Sequence, residues 1–239
     1  MREKLVRPED IETAAEPETP MRKIIVSSFT SLDGVMQAPG GPQEDPTGGF
    51  AFGGWTAPHF DEALGASMAE IFGRPFDLLL GRKTYDIFAA YWPYVSDPND
   101  PIAGPFNRVT KYVASRSEPK LLWQNSRLLG KEVVAALKTL KGEDGPDLLV
   151  QGSSNLLQTL WKNRLVDEFS VLIFPLLLGK GKRLFGEGAA PSGLKLVSSK
   201  AYPTGVIVAK FAPAGEVKTG DFGAAEPSAA ELERRRTLS

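Results

Sequence analysis

The sequence contains no cysteine, which excludes disulfides, thiolate nucleophiles, iron–sulfur clusters and thiolate zinc sites together. It contains a single histidine, His59, so a histidine-built metal site is excluded and a Ser-His-Asp triad would have one candidate base. No metal is therefore expected. It has no excess of positive charge: 28 lysines and arginines face 29 aspartates and glutamates, for a formal net charge of -1. A chain so balanced carries no global field for nucleic acid or an anionic membrane, and neither is expected as a partner. No apolar run approaches the roughly 20 residues that span a bilayer. The opening MREKLVRPEDIETAAEPETP has no apolar stretch of the kind a secretory signal needs, so a cytoplasmic location is the default expectation.

What is present suits one globular domain with a sizeable core. Residues 1–20 are rich in Glu, Pro and Thr without a hydrophobic period and read as a disordered leader, with Met21 a second candidate start. Residues 214–239 have little to bury and read as a disordered tail, in which ELERRR (231–236) is at most a short solvated helix. The folded unit is expected over 21–213.

Strands and helices alternate within it. KIIVSSFT (23–30), FDLLLG (76–81), RVTKYVAS (108–115), DLLVQG (147–152) and VDEFSVLIFPLLLG (166–179) are apolar, strand-like runs, several ending at glycine. Phe60, Leu64, Met68 and Ile71 recur at helical spacing. RKTYDIFAAYW (82–92) reads as a helix stopped before Pro93, Val133 to Leu140 as a helix closed by Gly142, and SSNLLQTLWKN (153–163) as a helix with a serine at its N-cap. LKLVSSKAY (194–202) and GVIVAKFAP (205–213) form a terminal antiparallel pair. This pattern predicts an α/β fold with a mostly parallel sheet and an antiparallel edge. From about 38 to 57 the chain is rich in glycine and proline but carries Phe50, Phe52 and Trp55, which suggests a site lid or pocket wall.

Five segments, in order and spacing, resemble the reductase domain of the riboflavin-biosynthesis deaminase-reductase and its stand-alone relatives in the dihydrofolate reductase superfamily. They are the first strand followed by SLDG (31–34), GRKTYD (81–86), ASRS (114–117), QGSSNLLQTL (151–160) and LVDEFSVLIFPLLLGKGKRLF (165–185). The resemblance implies a dihydrofolate reductase-like fold, a small-molecule substrate and NADPH as cofactor. No His/Cys zinc motif occurs in these residues, so the deaminase chemistry is not part of this chain.

The resemblance gives roles to residues whose chemistry suits them. At GRKTYD, Gly81 permits a tight turn. The first N–H groups of the helix, with Arg82, Lys83 and Thr84, would bind cofactor phosphates, a plain turn with solvated charges being the alternative. At ASRS, Ser115, Arg116 and Ser117 would lie near the adenosine ribose, with the Arg116 fork on a 2′-phosphate. At QGSS, Gly152 would admit the pyrophosphate, and Ser153 and Ser154 would donate to it or simply cap the helix. Asp33 would face the substrate and help supply a proton, or else cap its own turn. Trp55 and Phe52 would stack on a flat substrate or pack in the core.

Dihydrofolate reductases proper carry their acid on the first helix. Asp61 and Glu62 stand near the start of that helix without matching the pattern well, which counts against folate as the substrate, although the expected activity is similar to that of 5-amino-6-(5-phosphoribosylamino)uracil reductase or dihydrofolate reductase. Lys180, Lys182 and Arg183 would suit a substrate phosphate, though a solvated basic turn is the expectation. His59 reads as a helix-start or surface residue. Relatives are often dimers, which suggests a homodimer. The expected function is NADPH-dependent reduction of a pyrimidine- or pteridine-like compound or a sugar-amine. A non-catalytic nucleotide-binding module is the alternative, and such a module could have its cleft filled by Trp55 or Phe52.

Overall fold

The computed structural model of the chain describes residues 21–97, 99–187, 189–223 and 226–238. Its first strand is β1 (Ile24–Ser31), followed after the glycine-rich loop by α1 (Glu62–Phe72). The carboxylate of Asp61 caps α1, accepting the Leu64 N–H at 2.8 Å. The chain continues through β2 (Phe76–Gly81), α2 (Arg82–Ala89), α3 (Ala103–Arg108), β3 (Lys111–Ala114), β4 (Ser126–Leu128) and α4 (Val133–Lys141). It closes with β5 (Asp147–Val150), α5 (Ser154–Lys162), β6 (Glu168–Phe174), β7 (Leu194–Ala201), β8 (Ile207–Pro213) and α6 (Ala229–Arg236).

One eight-stranded sheet runs in the order β4-β3-β2-β5-β1-β6-β8-β7. The strands from β4 to β6 pair in parallel, and β8 lies antiparallel between β6 and β7. This is the mixed, mostly parallel sheet with a terminal hairpin that the pattern predicts.

β2 shows how the layers form. Alternation sends Leu78 and Leu80 to one face and Leu79 to the other. On the first face they join Leu64, Met68 and Phe72 of α1 and Phe106 of α3. On the second, Leu79 joins Leu137 and Leu140 of α4 and Leu156 and Leu160 of α5. A strand covered on both faces is apolar where it is covered, which is why Leu78 to Leu80 form a continuous apolar run. At the opposite edge of the layer, buried Arg22 reaches Asp77 at 2.6 Å and the Pro146 carbonyl at 2.6 Å. Asp77 also accepts the Thr110 N–H at 3.1 Å, so the buried pair is well satisfied and ties the strand starts together.

Three local expectations change. The run 108–115 divides into the end of α3 and a shorter strand from Lys111, and neither α3 nor β4 is anticipated. α2 ends at Ala89, and Trp92–Tyr94 make a separate 3-10 turn around Pro93, which has no N–H to extend the helix. In the segment expected to be a tail, Ser228 caps α6 and Glu231 pairs with Arg234 and Arg235, although no α6 residue is buried. The expected leader, residues 1–20, lies outside the described residues.

The connections also set the site. β1 leads through α1 to β2 on one side, and its neighbour β5 leads through α5 to β6 on the other. In open α/β sheets the crevice at the carboxyl ends of such a pair is where ligands bind.

Candidate active site

A cleft of about 1650 Å³ opens at that crevice. One wall consists of two strand-to-helix turns, from β2 into α2 and from β5 into α5. They touch: the Gly81 N–H donates to the Gly152 carbonyl at 3.0 Å. A Cβ on Gly81 would lie 2.9 Å from the Ser153 nitrogen, and one on Gly152 would lie 2.8 Å from Thr84 Oγ1. Gly152 also has φ 139°, a conformation that other residues rarely adopt. Only glycine at these positions lets the two helix starts meet.

Neither α2 nor α5 has a side-chain cap. Their first N–H groups and the positive ends of both dipoles stand free at the cleft wall, a natural place for a phosphate. Thr84, Ser153 and Ser154 line the cleft beside them. Ser153 holds the N-cap position without using its hydroxyl as a cap, so that hydroxyl can serve a ligand. Arg82 shares its charge with Asp86, its Nε lying 2.7 and 2.8 Å from the two carboxylate oxygens, and Lys83 is exposed.

At the end of β3, the Ser117 N–H donates to Ser115 Oγ at 3.2 Å and shapes the bend that presents Arg116. Arg116 lines the cleft, is exposed, and has no ionic partner among the described residues. The chain after β4 runs alongside, the Leu129 N–H donating to the Val113 carbonyl at 3.0 Å. This brings Lys131, a cation that pattern reasoning missed, to the Arg116 side of the cleft.

The other half of the cleft is apolar, built by Phe29, Met68, Phe72, Ile87, Trp92 and Phe106. Gln151, at the junction, has a buried Nε2 with no partner in the protein. The first part of the glycine-rich loop, Met36 to Asp45, forms the rim. The loop is braced there. Gln37 Nε2 donates to the carbonyls of Asp45 and Thr47, both at 2.9 Å, and its Oε1 accepts the Lys182 N–H at 2.9 Å. Lys182 Nζ pairs with Asp45 and donates to Thr47 Oγ1 at 2.9 Å. Burial pushes Asp45 up, but Lys182 and Thr47 outweigh it and leave the carboxyl below its ordinary value. Its neighbour Glu44 accepts the Gly40 N–H at 2.6 Å, yet burial dominates and raises its carboxyl above the ordinary range.

The model of the RibD C-terminal domain family matches residues 22–208. The chain belongs to the RibD C-terminal domain family. The uncharacterized protein YyaP of Bacillus subtilis (strain 168) is 27% identical over 192 residues, which cover 78% of this chain and 92% of YyaP. A candidate riboflavin biosynthesis protein from Shewanella sp. PV-4 is 20% identical with a TM-score of 0.58, over 80% of this chain and 99% of that one. The diaminohydroxyphosphoribosylaminopyrimidine deaminase/5-amino-6-(5-phosphoribosylamino)uracil reductase of Thermotoga maritima is 14% identical with a TM-score of 0.52. That match covers 81% of this chain and 57% of the Thermotoga protein. The fold is thus the dihydrofolate reductase-like fold of RibD reductase domains, a family associated with reductase activity.

Most of the expected cofactor residues of this RibD C-terminal domain converge. Gly81, Arg82, Lys83, Thr84, Ser115, Arg116, Ser153 and Ser154 line one cleft, and Gly152 sits directly behind Thr84. The expected substrate residues do not. Asp33, Trp55 and Phe52 are not among the described residues lining the cleft.

Asp33 is instead a brace. Its carboxylate accepts Ser31 Oγ at 2.5 Å, the Leu178 N–H at 3.1 Å and the Gly179 N–H at 2.9 Å, and Arg183 Nη2 lies 3.7 Å away. The Ser31 hydroxyl, helped by these N–H groups, lowers its carboxyl to about 2. Trp55 is buried, edge-on to Phe174 at 5.2 Å, with Nε1 donating to the Gln37 carbonyl at 2.8 Å. Phe52 packs on Phe50 at 5.9 Å and faces solvent. His59 closes a 3-10 turn, its ring 5.9 Å from Phe174, so it packs. The basic turn is largely consumed inside the protein, Lys182 by Asp45 and Arg183 by Asp33. No described helix is long and apolar enough to cross a membrane.

Proposed function

We propose that this chain is an NADPH-dependent reductase that reduces a C=N or C=O group of a small heterocycle or sugar-amine. Pyrimidine- and pteridine-like compounds are the first candidates. The observation that carries this reading is the division of one cleft into an anion-binding wall and an apolar half. The free helix starts of α2 and α5, with Thr84, Ser153 and Ser154, suit a pyrophosphate. Arg116, with Lys131 beside it, suits a ribose 2′-phosphate, for which a planar guanidinium fork is well shaped.

When bound, the nicotinamide supplies hydride at C4; binding and orientation are the protein's part. Phe29, Met68, Phe72 and Phe106 would exclude water around a flat substrate. A non-catalytic module with its cleft plugged by Trp55 or Phe52 is disfavoured, because both rings are engaged elsewhere. The test is fluorescence titration with NADPH and NADH, followed by an NADPH-oxidation screen of dihydropterins, aminouracil ribosylamines and simple aldehydes. NADPH binding with oxidation by a member of that panel is expected. Binding without oxidation by any of them would favour the module.

A further inference from the structure

With Asp33 held in its turn, the reduction needs another proton source, because hydride addition to C=N or C=O leaves an anionic nitrogen or oxygen. Four carboxylates line the cleft: Glu44, Asp45, Asp86 and Glu132. Asp86 is ion-paired with Arg82 and Asp45 with Lys182, so both carboxylates are already engaged by cations of the protein. Glu132 is exposed beside Lys131 at the start of α4, on the Arg116 side of the cleft. Glu44 differs from all three. It is half-buried, has no ion pair among the described residues, and stands on the rim formed by the braced loop.

We propose that Glu44 is the catalytic acid of this cleft and that it protonates the nitrogen or oxygen of the group being reduced. This rests on the reductase reading above. The Gly40 N–H engages Oε2 at 2.6 Å and orients the carboxyl on the rim. In the step, the substrate carbon gains hydride from the reduced nicotinamide, and the π pair moves to nitrogen or oxygen. That atom takes the Glu44 carboxyl proton, giving C–H and N–H or O–H. Glu44 is left as a carboxylate and regains a proton from water after product leaves.

The electrostatics support an acid here. Burial disfavours the Glu44 anion and the Asp45 charge beside it acts in the same direction, against the N–H groups of Gly40 and Gly41. Lys182 also lines the cleft, and its charge is directed to Asp45. Lys83, Arg116 and Lys131 stand at the helix-start wall and the Arg116 end. A carboxyl raised above its ordinary range holds its proton more readily, as a proton donor must.

The test compares wild type with Glu44→Gln and Glu44→Asp. Gln keeps an oxygen for the Gly40 N–H, so melting curves and NADPH affinity should stay near wild type. NMR of carboxyl-¹³C glutamate, with the Glu44 signal assigned by its loss in E44Q, should show Glu44 titrating above an ordinary glutamate. With 7,8-dihydrobiopterin and glyceraldehyde as probes, E44Q should lose about 10²–10⁴-fold in turnover and E44D should recover part of it. Wild-type turnover should fall as pH rises through the Glu44 titration. A Glu44 that titrates at or below the ordinary value overturns the proposal whether or not either probe is reduced, and so does an E44Q that turns a probe over at the wild-type rate. Failure of wild type to bind NADPH would instead count against the reductase reading, so the two failures are separable.

Discussion

At Asp33, a carboxylate placed after the first strand meets three donors before it can meet a substrate. Its value of about 2 lies below the ordinary 3.8, so the folded state favours the anion. The stabilisation is therefore complete above the ordinary value and is lost as pH falls from about 4 to about 2. Asp33→Asn should melt earlier at neutral pH, by about 1.5–3 kcal/mol for bonds to a charged group. Its stability should also decline less steeply than wild type across that acid window in urea titrations, while NADPH affinity stays unchanged. Arg116 is the opposite case, a cation with no protein partner among the described residues. Arg116→Ala should weaken NADPH by about 1.5–3 kcal/mol, roughly 10- to 150-fold, and leave NADH nearly unaffected, measured by fluorescence titration of both.

At the scale of elements, contact between the β2–α2 and β5–α5 turns depends on glycine. Gly81→Ala would push against the Ser153 backbone. It should cost about 1–3 kcal/mol of stability, as overpacking does, and weaken NADPH by separating the helix starts, read from melting curves and titration. These turns were legible because each couples a buried apolar run to glycine and then to a helical period, and all three features are local. α3 and β4 were not legible. AGPFNR carries a proline inside one and a half turns, and SRL is a short edge strand without a buried face. Glu44 was not legible either. Its role depends on how the loop is braced, by Gln37 at its own start and by Lys182 from outside it. The available signal was an acidic pair inside a glycine- and proline-rich loop already expected to line a pocket. Trp55 and Phe52 look alike in sequence. Only the fold shows that one is buried against Phe174 and the other lies on Phe50.

At the scale of the whole molecule, the sheet and its two covered faces are complete by β8, extended by pairing of Gly193 with Ala214 and Gly215. α6 buries none of its residues, so truncation after Gly215 should leave the melting temperature within about a degree, the usual outcome for a segment with few tertiary contacts. A loss of several degrees would mean that the segment docks on the domain. In the proposed reading, one cleft holds a phosphorylated dinucleotide by its helix starts and by Arg116. Calorimetric titration of the full chain with NADPH and NADH at one fixed ionic strength tests it most directly. The expected result is one NADPH per chain, bound at least about tenfold more tightly than NADH, the equivalent of roughly 1.4 kcal/mol. Equal affinity for the two, or no binding of either, would contradict it.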